Sequence, residues 1–158
     1  MDKTEILKEK LADAEVVLIG IGEEFNEKFD RIAEHEQLVK GLELVDAKEE
    51  LAWMVPYFEK IYLQEQNQSD ILSAYRNLYE LVKDKNYYIV TTCIDGLIQK
   101  AGFKPEKIVE PCGNYEKMQC SAKCSTKLYE SEEYANKIKE ALQDGTLEQV
   151  EQPVCPDC

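Results

Sequence analysis

Residues 87–113 read YYIVTTCIDGLIQKAGFKPEKIVEPCG. The run YYIVTT reads as a strand and is followed by a polar turn around CIDG. GLIQKAG then predicts a short helix, and KIVEP a second apolar strand. Strands separated by a helix in this way indicate an α/β core with a parallel sheet. A cysteine stands in each polar turn, Cys93 and Cys112, where a catalytic side chain is expected.

Working outward, EVVLIGIG (15–22) is an aliphatic, β-branched run ending in two glycines. Its pattern is that of a strand buried on both faces of a parallel sheet. Before it, TEILKEKLADA sets Ile6, Leu7, Leu11 and Ala14 at helical spacing. Residues 24–50 read as helix-rich and acidic, with Phe25, Phe29 and Ile32 on one stripe. AKEELAWMVPYFEKIYLQ continues with Leu51, Val55, Phe58 and Tyr62, and Pro56 removes a donor in mid-pattern, so this segment is expected to kink or split. Ser69 or Asp70 is placed to cap a helix whose Ile71, Tyr75, Leu78 and Val82 face inward. The tyrosines of these helices are expected in the core and its rim.

The texture changes after residue 113. YEKMQCSAKCSTKLYE is short of large aliphatics, SEEYANKIKEALQDG is a helix stopped by Gly145, and TLEQVEQPVCPDC alternates like a strand before a tight knuckle. The expected organisation is a nucleotide-binding-type domain over 1–113, with a helical segment at 23–86, and a metal module over 114–158.

Composition narrows the function. A chain of 158 residues can hide about 68–70% of its unfolded surface, enough for a real core. Its net charge of −13 argues against nucleic acid and anionic membranes as partners. No stretch reaches the 18 or more apolar residues of a membrane span, and MDKTEILKEKLADAE has no signal-peptide core. A cytoplasmic location is therefore expected. There, six cysteines are metal ligands or free thiols before they are disulfides.

Cys120-x3-Cys124 and Cys155-x2-Cys158 form two close pairs about thirty residues apart. Each offers two thiolates from one turn, and two facing turns make a tetrahedral four-sulfur site that suits Zn²⁺. With all four positions filled by protein, such a metal holds the fold and does no chemistry. Free or redox-active thiols are the alternative.

Taken in order, VVLIGIG, TTCIDGLIQKAG, EPCG, the cysteine pair and PVCPDC resemble the sirtuins (the Sir2 family), NAD-dependent protein deacylases and ADP-ribosyltransferases. GNYEKMQCSAKC looks closest to the bacterial class M branch, associated with protein ADP-ribosylation. The resemblance implies a Rossmann-like partial parallel sheet flanked by helices, with a small zinc-ribbon-like module. By position, Gly20 and Gly22 match the glycines that approach the dinucleotide phosphates. Ile94 and Asp95 match the pair that holds the nicotinamide amide, and Cys120, Cys124, Cys155 and Cys158 match the zinc ligands.

The departures concern the chemistry. EEFNEKFDR follows the glycines, so Glu23 and Glu24 put negative charge where amides should receive a pyrophosphate. At Cys93 the family has an asparagine that orients the nicotinamide ribose, and a thiol lacks that amide's donor and acceptor pair. At Cys112 it has a histidine base, or glutamine in class M; cysteine acts there only as thiolate. A sirtuin also continues past its last zinc cysteine into the second half of its sheet, whereas this sequence stops at Cys158. The favoured expectation is a Sir2-like zinc protein with lost or altered catalysis and doubtful NAD binding. An active deacylase or ADP-ribosyltransferase with a rebuilt or oligomer-completed site, using Cys112 as base or nucleophile, is the second. A redox or extra metal-binding pair, Cys93 with Cys112, is the third. A short sheet is also expected to leave an open edge, covered by the 23–86 helices, a second copy or another protein. His35, between Glu34 and Glu36, is expected on the surface.

Overall fold

The computed structural model describes residues 2–26, 28–29, 31–65 and 69–158. The chain packs as two compact units, residues 1–26 with 68–112, and residues 27–67 with 113–158. Each has its own apolar core. The sequence places 27–67 with the first domain; the packing places those helices with the cysteine-bearing segment.

In the first unit, helix α1 (Lys3–Asp13) leads into strand β1 (Val16–Ile21). Helix α4 (Asp70–Val82) leads into β2 (Asn86–Thr91), and β3 (Ile108–Val109) follows. The strands form a parallel sheet in the order β1-β2-β3, with Leu18 beside Tyr88, Gly20 beside Val90, and Val90 beside Val109. Ser69 caps α4, its hydroxyl accepting from Leu72 N–H at 3.0 Å. Between β2 and β3 the short helix is of 3-10 type, Leu97–Ala101, set between left-handed Gly96 and Gly102. Ile21, Tyr87, Ile89 and Thr91 are buried on one sheet face, against Leu72, Tyr75, Val82, Leu97, Ile98 and Phe103.

One expectation fails here. β1 is not buried on both faces: Val16 and Leu18 are exposed, as are Tyr88, Val90 and Val109 beside them. Among the described residues of this unit, nothing covers this second face. An apolar run states that a strand is suited to two-sided burial, but not that both covering layers belong to the same chain.

In the second unit, helices α2 (Glu36–Ala47), α3 (Val55–Glu65) and α5 (Glu132–Asp144) enclose Leu38, Met54, Phe58, Ile61, Tyr62, Ala135 and Ile138. Pro56 splits its segment as expected, with a 3-10 turn at Glu49–Met54 giving way to α3. The stripe expected of Phe25, Phe29 and Ile32 does not exist. Phe25 packs on Tyr75 in the first unit, while Phe29 packs on Tyr62 and Tyr115 in the second. Short strands β4 (Lys117–Gln119) and β5 (Leu128–Glu130) pair antiparallel. The strand expected in TLEQVEQPV is instead a 3-10 turn, Leu147–Gln149, followed by irregular chain. Two prolines beside the terminal cysteines leave too few donors for a ladder there. No helix among the described residues is long and apolar enough to cross a membrane.

Candidate metal centre and strand-end site

The four cysteines of the two pairs come together, as their spacing predicts. The sulfurs of Cys120, Cys124, Cys155 and Cys158 all lie within 4.8 Å of one another. Cys124 and Cys155 are 3.5 Å apart, and Cys120 and Cys158 3.7 Å. A tetrahedral Zn²⁺ with bonds of about 2.3 Å sets its sulfurs ~3.8 Å apart, so the cluster fits that ion.

Local backbone makes the first knuckle. Lys123 adopts a left-handed φ of 52°, and its N–H donates to the Cys120 carbonyl at 2.9 Å. This turn aims backbone amides at the Cys120 sulfur. The Cys124 amide, then its thiol, lowers the Cys120 pKa to about 6. With one thiolate formed, its neighbours resist ionising, and Cys124 is pushed up to about 12, first by Cys120. Four sulfurs this close can all be thiolates only around a cation.

Asp157 ties the second knuckle to the β5 side of the module. It accepts from Lys127 Nζ at 3.0 Å and Tyr129 Oη at 2.8 Å. The Lys127 hydrogen bond holds the Asp157 carboxyl below its ordinary range, and Asp157 in turn raises Tyr129 to about 12. None of these three residues stood out in the sequence. An Asp between two knuckle cysteines, with a Tyr on a nearby strand and a Lys just before that strand, is the signal that could have marked them.

The strand-end residues belong to the first unit. Gly20 lies within β1 on the exposed face and Gly22 just beyond it; a Cβ on either would meet nothing within 4 Å. Gly22 has an ordinary extended backbone, so no protein packing requires a glycine at either position. Glu23 and Glu24 stand in the short 3-10 turn that follows.

Three hydrogen bonds then hold the chain after β1 to the end of β2. Thr92 N–H donates to the Ile21 carbonyl at 3.1 Å, the Cys93 thiol to the Gly22 carbonyl at 3.1 Å, and Ile94 N–H to Asn26 Oδ1 at 2.9 Å. Asp95 is buried, and its Oδ1 accepts from Leu97 N–H at 2.9 Å, capping the 3-10 helix. Tyr75 lies alongside: its hydroxyl is buried beside Cys93 and finds no well-formed hydrogen bond among the described residues. Burial raises its pKa, helped by the adjoining Cys93 thiol and Asp95. Sequence reading placed Tyr75 inward but missed its position beside Cys93.

Cys93 is buried and Cys112 exposed, and both are free thiols. His35, expected on the surface, is the N-cap residue of α2. Its Nδ1 is 3.5 Å from Glu65, and its ring meets the edge of Tyr62.

The sequence model of the Sir2 family matches residues 24–158. A curated relative, "Protein ADP-ribosyltransferase" from Staphylococcus aureus (strain Mu50), is 25% identical over 174 residues. That match covers 99% of this chain and 54% of the relative, so the chain spans about half the length of the curated protein it matches. Among solved structures, a chain described under "Structural Basis for the Mechanism and Regulation of Sir2 Enzymes" superposes with a TM-score of 0.54 at 20% identity. It covers all of this chain and 59% of that one.

Proposed function

Since the chain belongs to the Sir2 family, we propose that it is a zinc-stapled Sir2-type protein whose strand-end site no longer supports the NAD chemistry of the family by the usual side chains. The observation that carries this is the bond from the Cys93 thiol to the Gly22 carbonyl. Where the resemblance asks for an amide facing a ribose, the thiol spends its one proton inside the protein. Asn26 and Asp95 are likewise engaged with backbone N–H groups, and Glu23 and Glu24 oppose a pyrophosphate.

The zinc ligands in this reading are Cys120, Cys124, Cys155 and Cys158, and the metal's contribution is cohesion of the second unit. A cytoplasmic location, where thiols stay reduced, suits that ligand set.

Two measurements test the proposal. Elemental analysis of reduced, purified protein is expected to give one zinc per chain, lost in Cys155→Ser. Calorimetric titration of the zinc-loaded protein with NAD, and with ADP-ribose as comparison, is expected to give no micromolar binding. Stoichiometric NAD binding at micromolar Kd would sink the altered-site claim, and a zinc-free protein the stapling claim.

A second reading is favoured by the name of the Staphylococcus relative and by the exposure of Cys112. In it, the chain transfers ADP-ribose from NAD with Cys112 as base or nucleophile and Gly20, Gly22, Ile94 and Asp95 at the cofactor. It requires NAD-dependent ADP-ribosyl transfer or deacylation that Cys112→Ala abolishes. Nothing comparable favours a redox pair of Cys93 and Cys112, because Cys93 is buried and its thiol already engaged.

A further inference from the structure

The second knuckle carries an aspartate between its two cysteines, and that side chain reaches the residues following the first knuckle. Lys127 Nζ donates to Asp157 Oδ1 at 3.0 Å and lies 2.9 Å from Oδ2. Tyr129 Oη donates to Oδ2 at 2.8 Å, and Ser125 Oγ to the same oxygen at 3.4 Å. Ser125 is the neighbour of Cys124, and Tyr129 lies on β5. One carboxylate therefore spans the two turns that supply all four sulfurs. Among the described residues, no other hydrogen bond joins residues 151–158 to the rest of the module, the sulfur contacts aside.

Attraction for the metal does not explain a carboxylate here. Zn²⁺ with four thiolates is already a dianion, and Asp157 adds to it in a chain whose net charge is −13. The Lys127 ammonium offsets the added charge, while Tyr129 and Ser125 fix the direction of the carboxylate. The arrangement gives a mechanical link. Residues 151–154 are irregular chain, so the second turn is otherwise loosely tethered to the first. Zinc leaves a four-sulfur site one ligand at a time, and a sulfur that has let go returns more often the more closely its turn is tethered.

We propose that Asp157 is the positioning residue of the metal centre: holding the second knuckle on Lys127 and Tyr129, it keeps Cys155 and Cys158 facing the first pair and sets how long the metal stays bound. The inference rests on the four-thiolate reading of that centre. Partners that orient metal ligands are worth about 10–100-fold in affinity. With Lys127 64% exposed, the ion pair contributes little to folding. The effect therefore belongs in zinc release and not in the secondary structure of the unit.

The test is the rate at which the reduced, zinc-loaded protein yields its metal to an excess of a chromophoric chelator. Asp157→Ala should start with one zinc per chain, keep the wild-type far-UV circular dichroism and release the ion at least about tenfold faster. Asp157→Asn retains an acceptor oxygen for the Tyr129 hydroxyl and should recover part of that difference. Tyr129→Phe and Lys127→Met should each speed release by less than Asp157→Ala. Lys117→Met, which removes the exposed ion pair with Glu130 from the same hairpin, should leave the rate unchanged. A wild type that takes up no zinc would overturn the four-thiolate reading and the latch with it. A wild type that holds one zinc and releases it no more slowly than Asp157→Ala would overturn the latch alone. So would an equal acceleration in Lys117→Met, or a collapsed circular dichroism spectrum in Asp157→Ala, since either assigns the faster release to a loosened hairpin.

Discussion

The thiol of Cys93 donates to the carbonyl oxygen of Gly22 across 3.1 Å, joining the end of β2 to the residue after β1. With only 2% of Cys93 exposed, its sulfur is a structural group and not a surface nucleophile. A thiol reagent added to the native, zinc-loaded protein is expected to label Cys112 and leave Cys93 unmodified until the protein unfolds. Mass spectrometry of the labelled peptides reads this directly. Cys93→Ala removes the thiol's bond to Gly22, an exposed residue whose carbonyl water can meet, and should cost about 0.5–1.5 kcal/mol, a fall of a few degrees in Tm. Labelling of Cys93 at the rate of Cys112 would show that the bond does not hold.

Lys60 on α3 gives the second unit its most consequential polar contact. Its side chain is 2% exposed, and Nζ donates to Glu116 at 2.7 Å and to Ser131 Oγ at 2.8 Å. The two deletions of this pair are not equivalent. Glu116→Ala leaves an ammonium buried without its counter-charge, which costs about 3–5 kcal/mol. Lys60→Met leaves instead a carboxylate that is 31% exposed and can be hydrated, so the loss should be about 1–2 kcal/mol. Urea unfolding of the two variants should rank them in that order; equal midpoints would remove the distinction.

How far the fold was legible can be judged from such residues. VVLIGI and YYIV announced their strands because β-branched runs have few alternatives, and the cysteine spacing announced the cluster because two tight turns can present four sulfurs. The cover over each strand face was not legible, since burial is a property of neighbours distant in sequence. Phe25 and Phe29 illustrate this, separated by four positions yet packed in different units. At the strand ends, the identity of Cys93 and Asp95 was plain. Their engagement with Gly22 and Leu97 depends on turn geometry that no spacing rule supplies. Lys60 gave no sign of burial, because lysine at a helical position is ordinarily solvated.

Gly41 reverses an ordinary rule. A glycine inside a helix is normally improved by alanine, by about 1 kcal/mol. Within α2, however, a Cβ at Gly41 would stand 2.8 Å from Leu142 Cδ2 and 3.0 Å from Phe58 Cζ. Leu142 is half-buried and has room to turn, but Phe58 is fully buried in the core. Overpacking of this kind costs about 1–3 kcal/mol and should outweigh the helical gain. Gly41→Ala is therefore expected to lower the urea midpoint slightly; a stabilised variant would mean that Phe58 yields without cost.

The phenol of Tyr57 sets an alkaline limit on the second unit. Its hydroxyl donates to Met118 Sδ at 2.8 Å, and burial, with Tyr134 nearby, raises its pKa to about 12. In the unfolded chain the value is near 10. Because the folded pKa lies above the unfolded one, the stabilisation from the neutral phenol is fully present below about pH 10. It is lost as pH rises through about 12. Urea unfolding at about pH 8 and 11 should show the wild type losing stability between the two. Tyr57→Phe has no proton to lose and should lose less over the same interval, at the expense of a lower starting value for the missing Met118 contact. A variant whose stability falls in parallel with the wild type would assign the alkaline transition to other groups.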